Sequence, residues 1–443
     1  MTLTRLIGIG FIVAVGATSV GLAACGDGEN GAKGDPGAAG PAGPPGPSGT
    51  PGVPGPAADG GGGVLSGACT TPCHTFNGVV DQWRFSNHSH PQNNEIGGGA
   101  CGNCHAIDGL QQRVAGKYTV PPDAGVPADV SKGHINYKAA SGAISEIGYG
   151  GTTAIGRIHC STCHDFNPTN DPHVTGKYLA GQAPLRVPGG VNDTAILEKT
   201  EGTAPTTPTG TALAYRAANT CVFCHKSRKD VSFYIGANNS LSSTRWGPHD
   251  GPQADVFSGK GGYHFSGVTY STAAHSTIAN PCVSCHMQPV AANGNVPDHT
   301  MKPNLAFCKT CHKTYEGTNF DIDDGQSTVR AGLRELQAEL TYAGLLTRSA
   351  SAPYAVLTDD ELADNQFHLD AVRPNAGPGN AHVVANAARA GAIYNYLIVA
   401  RGKDFGVHNP RYTKQLLWDS ITEIKTMNNR PSTKPEFMQT RPN

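Results

Sequence analysis

The chain has 443 residues, 38% of them hydrophobic and 15% charged, with 57 Gly and 32 Pro. Gly and Pro together make about a fifth of the chain, which excludes a large conventional core filled by side chains alone. Lys and Arg number 33 against 34 Asp and Glu, so no strong field of one sign is present to hold nucleic acid or an anionic surface.

At the N-terminus, Arg5 precedes an apolar run over 6–22 that ends in Leu22, Ala23, Ala24 and Cys25. A charged start, a short apolar stretch and a small-residue cleavage site describe a secretory signal over 1–24. The ending resembles a bacterial lipobox, in which Cys25 is lipidated and becomes the first mature residue. Gly26 behind it, where an Asp would retain the protein at the inner membrane, resembles outer-membrane sorting. The alternative is an uncleaved anchor, for which a run of about 17 apolar residues is marginal.

The segment 25–63 reads as a stalk. Glycine falls on every third position at Gly31, Gly34, Gly37, Gly40, Gly43, Gly46, Gly49, Gly52 and Gly55, with Pro interspersed. This pattern resembles a bacterial collagen-like repeat, since a triple helix admits only Gly at its axis. Two forms remain open. The preferred one is a single extended spacer of about 80 Å; the other is a triple helix that makes the protein a homotrimer. Gly60 to Gly63 would end the stalk in a flexible joint.

The unusual counts are 13 Cys and 18 His. Beyond Cys25, ten cysteines fall in five Cys-x-x-Cys-His motifs: Cys101, Cys104 and His105; Cys160, Cys163 and His164; Cys221, Cys224 and His225; Cys282, Cys285 and His286; Cys308, Cys311 and His312. The last two, Cys69 and Cys73, are followed by His74 with one more residue between them. Cys-x-x-Cys-His is the c-type haem attachment signature. Two thioethers hold the porphyrin, and the adjacent imidazole is brought under the iron. Zinc sites use Cys-x-x-Cys but do not require His at the next position each time. Six covalent haems are therefore expected, with a local disulfide as the alternative at Cys69 and Cys73.

These motifs, together with Met287 after His286, Asp298 and His299 downstream, and the run Gly406, Val407, His408, Asn409, Pro410, resemble the multihaem c-type cytochromes of metal-reducing bacteria. Local wording is shared with the pentahaem nitrite reductase and octahaem reductase superfamily. The resemblance implies electron transfer among haems, with other multihaem cytochromes or extracellular acceptors as partners. The collagen-like insert departs from that pattern.

Six proximal histidines leave twelve for the distal positions, while Met is scarce, so bis-histidine iron of low potential is expected. Seven candidates stand out. His88 lies ahead of Cys101, His275 ahead of Cys282, and His299 follows the Cys282 motif. His408 precedes Asn409 and Pro410, a helix cap and first-turn pair. His249 sits in a Trp246-Gly-Pro turn, and His159 abuts Cys160 in competition with His173. His90, His134, His264, His368 and His382 are expected to bond propionates or face solvent.

With six motifs over 69–312, roughly one haem serves every forty residues. The expected fold is a multihaem cytochrome c, mostly loop with short helices around a haem core over 64–320, without substantial sheet. The region 321–443 reads as helical and supplies a distal ligand. Val329, Leu333, Leu336 and Leu340 follow helical spacing, Thr358 and Glu361 form a capping-box signal, an apolar face runs over about 380–401, and Tyr412, Leu416, Leu417 and Ile421 mark a last helix. The expected function is an outer-membrane-tethered electron carrier docking through basic spots such as Lys226, Arg228 and Lys229. A haem reductase of nitrite, hydroxylamine or a sulfur oxyanion is the alternative, although all six motifs end in His and none in Lys. A collagen-like surface protein with secondary haems is the third reading.

Overall fold

The computed structural model describes residues 78–89, 102–105, 110, 114, 135–138, 144–147, 158–166, 184–199, 210–236, 240–241, 246–290, 296–348, 372–375, 382–384 and 386–443. The signal and Cys25, the Gly-X-Y segment, Cys69, Cys73, His74, Cys101, His173 and the Thr358 to Glu361 signal lie outside the described residues.

Up to residue 312 the helices are short. They are α1 (Val79–Arg84), α2 (Gly102–His105), α3 (Cys160–Cys163), α4 (Asn219–Val222), α5 (Val231–Tyr234), α6 (Gln253–Phe257), α7 (Pro281–His286) and α8 (Leu305–Cys311). Three two-stranded antiparallel ribbons lie among them, such as Ala195–Glu198 with Gly210–Leu213; a fourth pairs Ser240–Leu241 with His382–Val383, a fifth pairs Leu346–Arg348 with Val372–Pro374, and no wider sheet forms among the described residues. Their apolar cluster is small: Ala195, Leu197, Leu213, Val222 and Ala254.

The last third is different. Helices α9 (Gly325–Tyr342), α10 (Ala387–Gly402) and α11 (Pro410–Met427) pack into the main apolar core. Val329, Leu333, Leu336 and Leu340 form the buried stripe of α9, while Leu416, Leu417, Ile421 and Ile424 do so on α11. Each such side chain contributes about 1.5–3 kcal/mol on burial. Helix α10 is buried on all sides from Ala390 to Gly402, so it forms the axis of the core rather than a surface. It starts later than the apolar pattern from about 380 predicts. Asn386 accepts from the Arg389 amide and caps the helix there, while Val383 pairs with Ser240 in a strand. Among the described residues no helix is long and apolar enough to cross a membrane.

Polar groups tie the helices to the preceding loops. Asn395 on α10 exchanges hydrogen bonds with both main-chain groups of Tyr263, accepting at 2.7 Å and donating at 2.9 Å. The buried Arg401 donates to the carbonyls of Trp246 and Pro248. Asn409 caps α11, accepts from the Ala273 amide at 2.8 Å and donates to the Val256 carbonyl at 3.2 Å.

Candidate haem sites

Cysteines three apart on one helical turn share a face, and the next residue lies beside them at the helix end. Helices α3, α7 and α8 carry three motifs this way. Asn304 caps α8 by accepting from the Ala306 amide, and Pro281 occupies the first turn of α7. Among the described residues no disulfide links any cysteine.

Each of the five described motif histidines faces a second imidazole. Ring centres are 5.9 Å apart for His225 and His88, 6.5 Å for His105 and His249, and 6.2 Å for His164 and His299. They are 6.1 Å apart for His312 and His275, and 6.3 Å for His286 and His408. Two imidazoles that share one metal ion, each with its nitrogen about 2 Å away, have ring centres about 6 Å apart. The donor pairs therefore fit axial ligation of one iron each.

The other ring nitrogen is also occupied in a consistent way. Nδ1 donates to the carbonyl of Asp250 from His249 at 2.8 Å, of Val407 from His275 at 2.7 Å, and of Pro297 from His299 at 2.7 Å. His286 Nδ1 donates to the Met301 carbonyl at 3.0 Å, and His225 Nδ1 to Gln253 Oε1 at 3.2 Å. A carbonyl only accepts, so the proton sits on Nδ1 and the Nε2 lone pair is left for a metal. His88 Nδ1 lies 2.7 Å from Met301 Sδ. Met301 thus touches one ring in each of two pairs, and it does so from a left-handed backbone (φ 56°) that an unbranched side chain can tolerate at a cost.

Burial, with help from neighbouring His225 and His105, pulls the His88 pKa down to about 4, so the ring is neutral, the form that binds metal. Desolvation likewise lowers His225, His249, His286 and His299. His225 is nevertheless exposed to solvent: protein crowds the ring without covering it. The thiols of successive motifs lie together. Cys221 shares a hydrogen bond with Cys282, which with burial pushes its pKa far up. Burial, with Cys221 adding to it, pushes Cys163 up to about 12, and burial with Cys308 and Cys311 nearby raises Cys285 to about 11. Cys104 Sγ lies 3.9 Å from the Phe223 carbonyl. The motifs therefore form one contiguous group.

The chain is similar to a polyhaem cytochrome. Over 393 residues it is 25% identical to the C-type polyheme cytochrome OmcB of Geobacter sulfurreducens, in strains DL-1/KN400 and PCA alike. The match covers 82% of this chain and 48% of each relative, so the chain spans about half the length of the curated relatives it matches. No family model and no solved structure matches.

Of the seven candidate distal histidines, five stand opposite a motif histidine. His173 lies outside the described residues. His159 is exposed and caps α3: its Nδ1 accepts from the Ser161 amide at 3.1 Å. Accepting at Nδ1 puts the proton of the neutral ring on Nε2, the opposite of the arrangement in the paired rings. His264, expected at a propionate or in solvent, is exposed, with its Nε2 2.8 Å from the Tyr412 hydroxyl and its ring stacked on Tyr270 at 4.2 Å.

The docking spot also needs correction. Lys226 is only 1% exposed. Asp255, fully buried, accepts from the Ser227 amide at 2.6 Å and pairs with Lys199, which draws this turn into the protein. Lys226 therefore cannot present its charge to a partner. The residues sequence reasoning missed are the Nδ1 partners: Gln253, Met301, Asp404 and the carbonyls of Val407 and Pro297. Their side chains carry no haem signature, and only the fold brings them to the rings.

Proposed function

We propose that the chain is a multihaem c-type cytochrome that carries electrons rather than performing chemistry on a substrate. The observation that carries this reading is the second imidazole opposite each of the five described motif histidines. The similarity to a polyhaem cytochrome and the contiguity of the motifs support it. Haem c, when bound, supplies an iron that takes up and releases one electron.

The residues of this chain do the rest. Cys160, Cys163, Cys221, Cys224, Cys282, Cys285, Cys308 and Cys311 attach the group, as does Cys104 with its partner Cys101. His105, His164, His225, His286 and His312 would each hold an iron together with, in the same order, His249, His299, His88, His408 and His275. At His225, His249, His275, His286 and His299 the Nδ1 hydrogen bond fixes the ring in advance, so a change of one electron would demand little rearrangement. Two nitrogen ligands also favour a lower potential than a His and Met pair. Cys69, Cys73 and His74 would hold a sixth group. The chain is further proposed to reach its acceptor from the outer membrane through a lipid on Cys25 and the Gly-X-Y stalk, with an extracellular acceptor or another multihaem cytochrome as partner.

The test is to add nitrite and hydroxylamine to the reduced holoprotein and to follow reoxidation by a ferric chelate. The carrier reading predicts rapid reoxidation by the chelate, with no turnover of either nitrogen compound. Turnover of nitrite or hydroxylamine would establish the reductase alternative. For the tether, Cys25→Ser is expected to shift the protein out of the membrane fraction, and unchanged fractionation contradicts the lipid anchor.

A further inference from the structure

Among the described candidate distal histidines, His408 alone has a carboxylate at its Nδ1. Asp404 Oδ2 accepts the His408 amide at 3.0 Å and lies 3.3 Å from His408 Nδ1. That nitrogen is buried, and the contact to Asp404 is close but not aligned as a hydrogen bond. The Asp404 side chain is itself only 6% exposed. The other distal rings whose Nδ1 donates, His249, His275 and His299, use neutral main-chain carbonyls.

The turn between α10 and α11 is built to put this carboxylate there. Lys403 and Phe405 hold left-handed backbones (φ 56° and 48°), followed by Gly406 at φ 87°. Phe405 is fully buried, with the Arg330 guanidinium 4.3 Å over its ring. A Cβ on Gly406 would meet Val329 Cγ2 at 2.8 Å, so the turn fits against α9 only with glycine. Gln326 pins the turn further by donating to the Asp404 carbonyl at 3.1 Å. Left-handed residues other than Gly are strained, so the surrounding packing must over-determine this conformation.

We infer that Asp404 is a positioning residue for His408: its carboxylate holds the His408 amide, lies against Nδ1, and makes the haem site of Cys282, Cys285 and His286 the lowest in potential of the five described. A carboxylate beside the remote nitrogen raises the basicity of a ligating imidazole and stabilises the higher oxidation state of its metal. A buried charge acts more strongly than a carbonyl dipole, or than the exposed Asp323 carboxylate 3.8 Å from His312 Nδ1, because little solvent screens it. The inference rests on the reading of His408 as an axial ligand.

The test is a redox titration of the full-length holoprotein followed by EPR, comparing the native chain with Asp404→Asn, Asp404→Glu and His408→Ala. Asp404→Asn removes the charge and keeps the shape. It is expected to shift the reduction equilibrium of one site by about tenfold towards the ferrous form, which is ~59 mV for one electron. One low-spin signal should move, with the other potentials and the thermal midpoint unchanged. Asp404→Glu, which retains the charge, should keep that potential near the native value. If Asp404→Asn leaves every potential and signal in place while His408→Ala creates one high-spin centre, the role of Asp404 is overturned and the ligand assignment stands. If His408→Ala creates no high-spin centre, the ligand assignment itself fails. Loss of thermal stability without a change in any potential would make Asp404 a purely structural residue and overturn the inference.

Discussion

The part of the chain before residue 312 and the helices after 325 solve opposite problems. The first spreads its motifs over helices of four to seven residues and two-stranded ribbons, with five buried apolar side chains in its own cluster. The second closes three helices around Leu333, Leu336, Ile393, Leu397, Leu416 and Ile421. One is organised by what its cysteines and histidines would hold, the other by apolar burial. They meet in the turn at 402–409. There the Gly402 carbonyl accepts from Gln253, which orients His225; the Val407 carbonyl orients His275; and His408 faces His286. A helical core, into which Trp246 and Val256 of the first part also pack, thus fixes rings in three sites.

The strongest way to break that division is Leu333→Ala. Leu333 is fully buried in α9, and the substitution is expected to cost about 2–5 kcal/mol in denaturant unfolding, without changing the number of covalent haems. The His286 and His312 sites should lose low-spin character along this transition before the His164 site, whose partner His299 is oriented by Pro297 and not by the helices. Simultaneous loss at all sites would mean the two regions are one cooperative unit.

Asn409→Ala should have a smaller effect at the junction itself. It removes the cap of α11, worth about 1 kcal/mol, and leaves the Ala273 amide without its acceptor at a similar cost. The thermal midpoint should fall, and the EPR lines of the His275 and His408 sites should shift together. Met301→Leu sharpens the comparison within the haem-bearing region. It removes the sulfur beside His88 and keeps the carbonyl that holds His286. Stability should change by less than about 1.5 kcal/mol, as for a volume-conserving swap, with only the His225 site altered spectroscopically.

Much of this was legible in the chain. Each described motif is a matter of covalent spacing, and the stripes on α9 and α11 follow from helical period. Asn409 and Pro410 announce the start of α11, which is why His408 could be singled out beforehand. The choice of partner for each ring was not legible, because His249 meets His105 across 144 residues of sequence that no local pattern connects. Lys226 misled for a related reason. A charged side chain near a motif reads as exposed, and only the buried Asp255, placed by the fold, draws the turn of Lys226 inwards.

The central claim, that the two imidazoles of each of five named pairs would hold one iron, is tested most directly by counting high-spin ferric centres by EPR in single Ala substitutions of His88, His249, His275, His299, His408 and His159. The account predicts that each of the first five variants gains one high-spin centre in an otherwise low-spin protein, and that His159→Ala gains none. A high-spin centre already present among the five sites of the native protein, or paired-histidine variants that stay wholly low-spin, would contradict it.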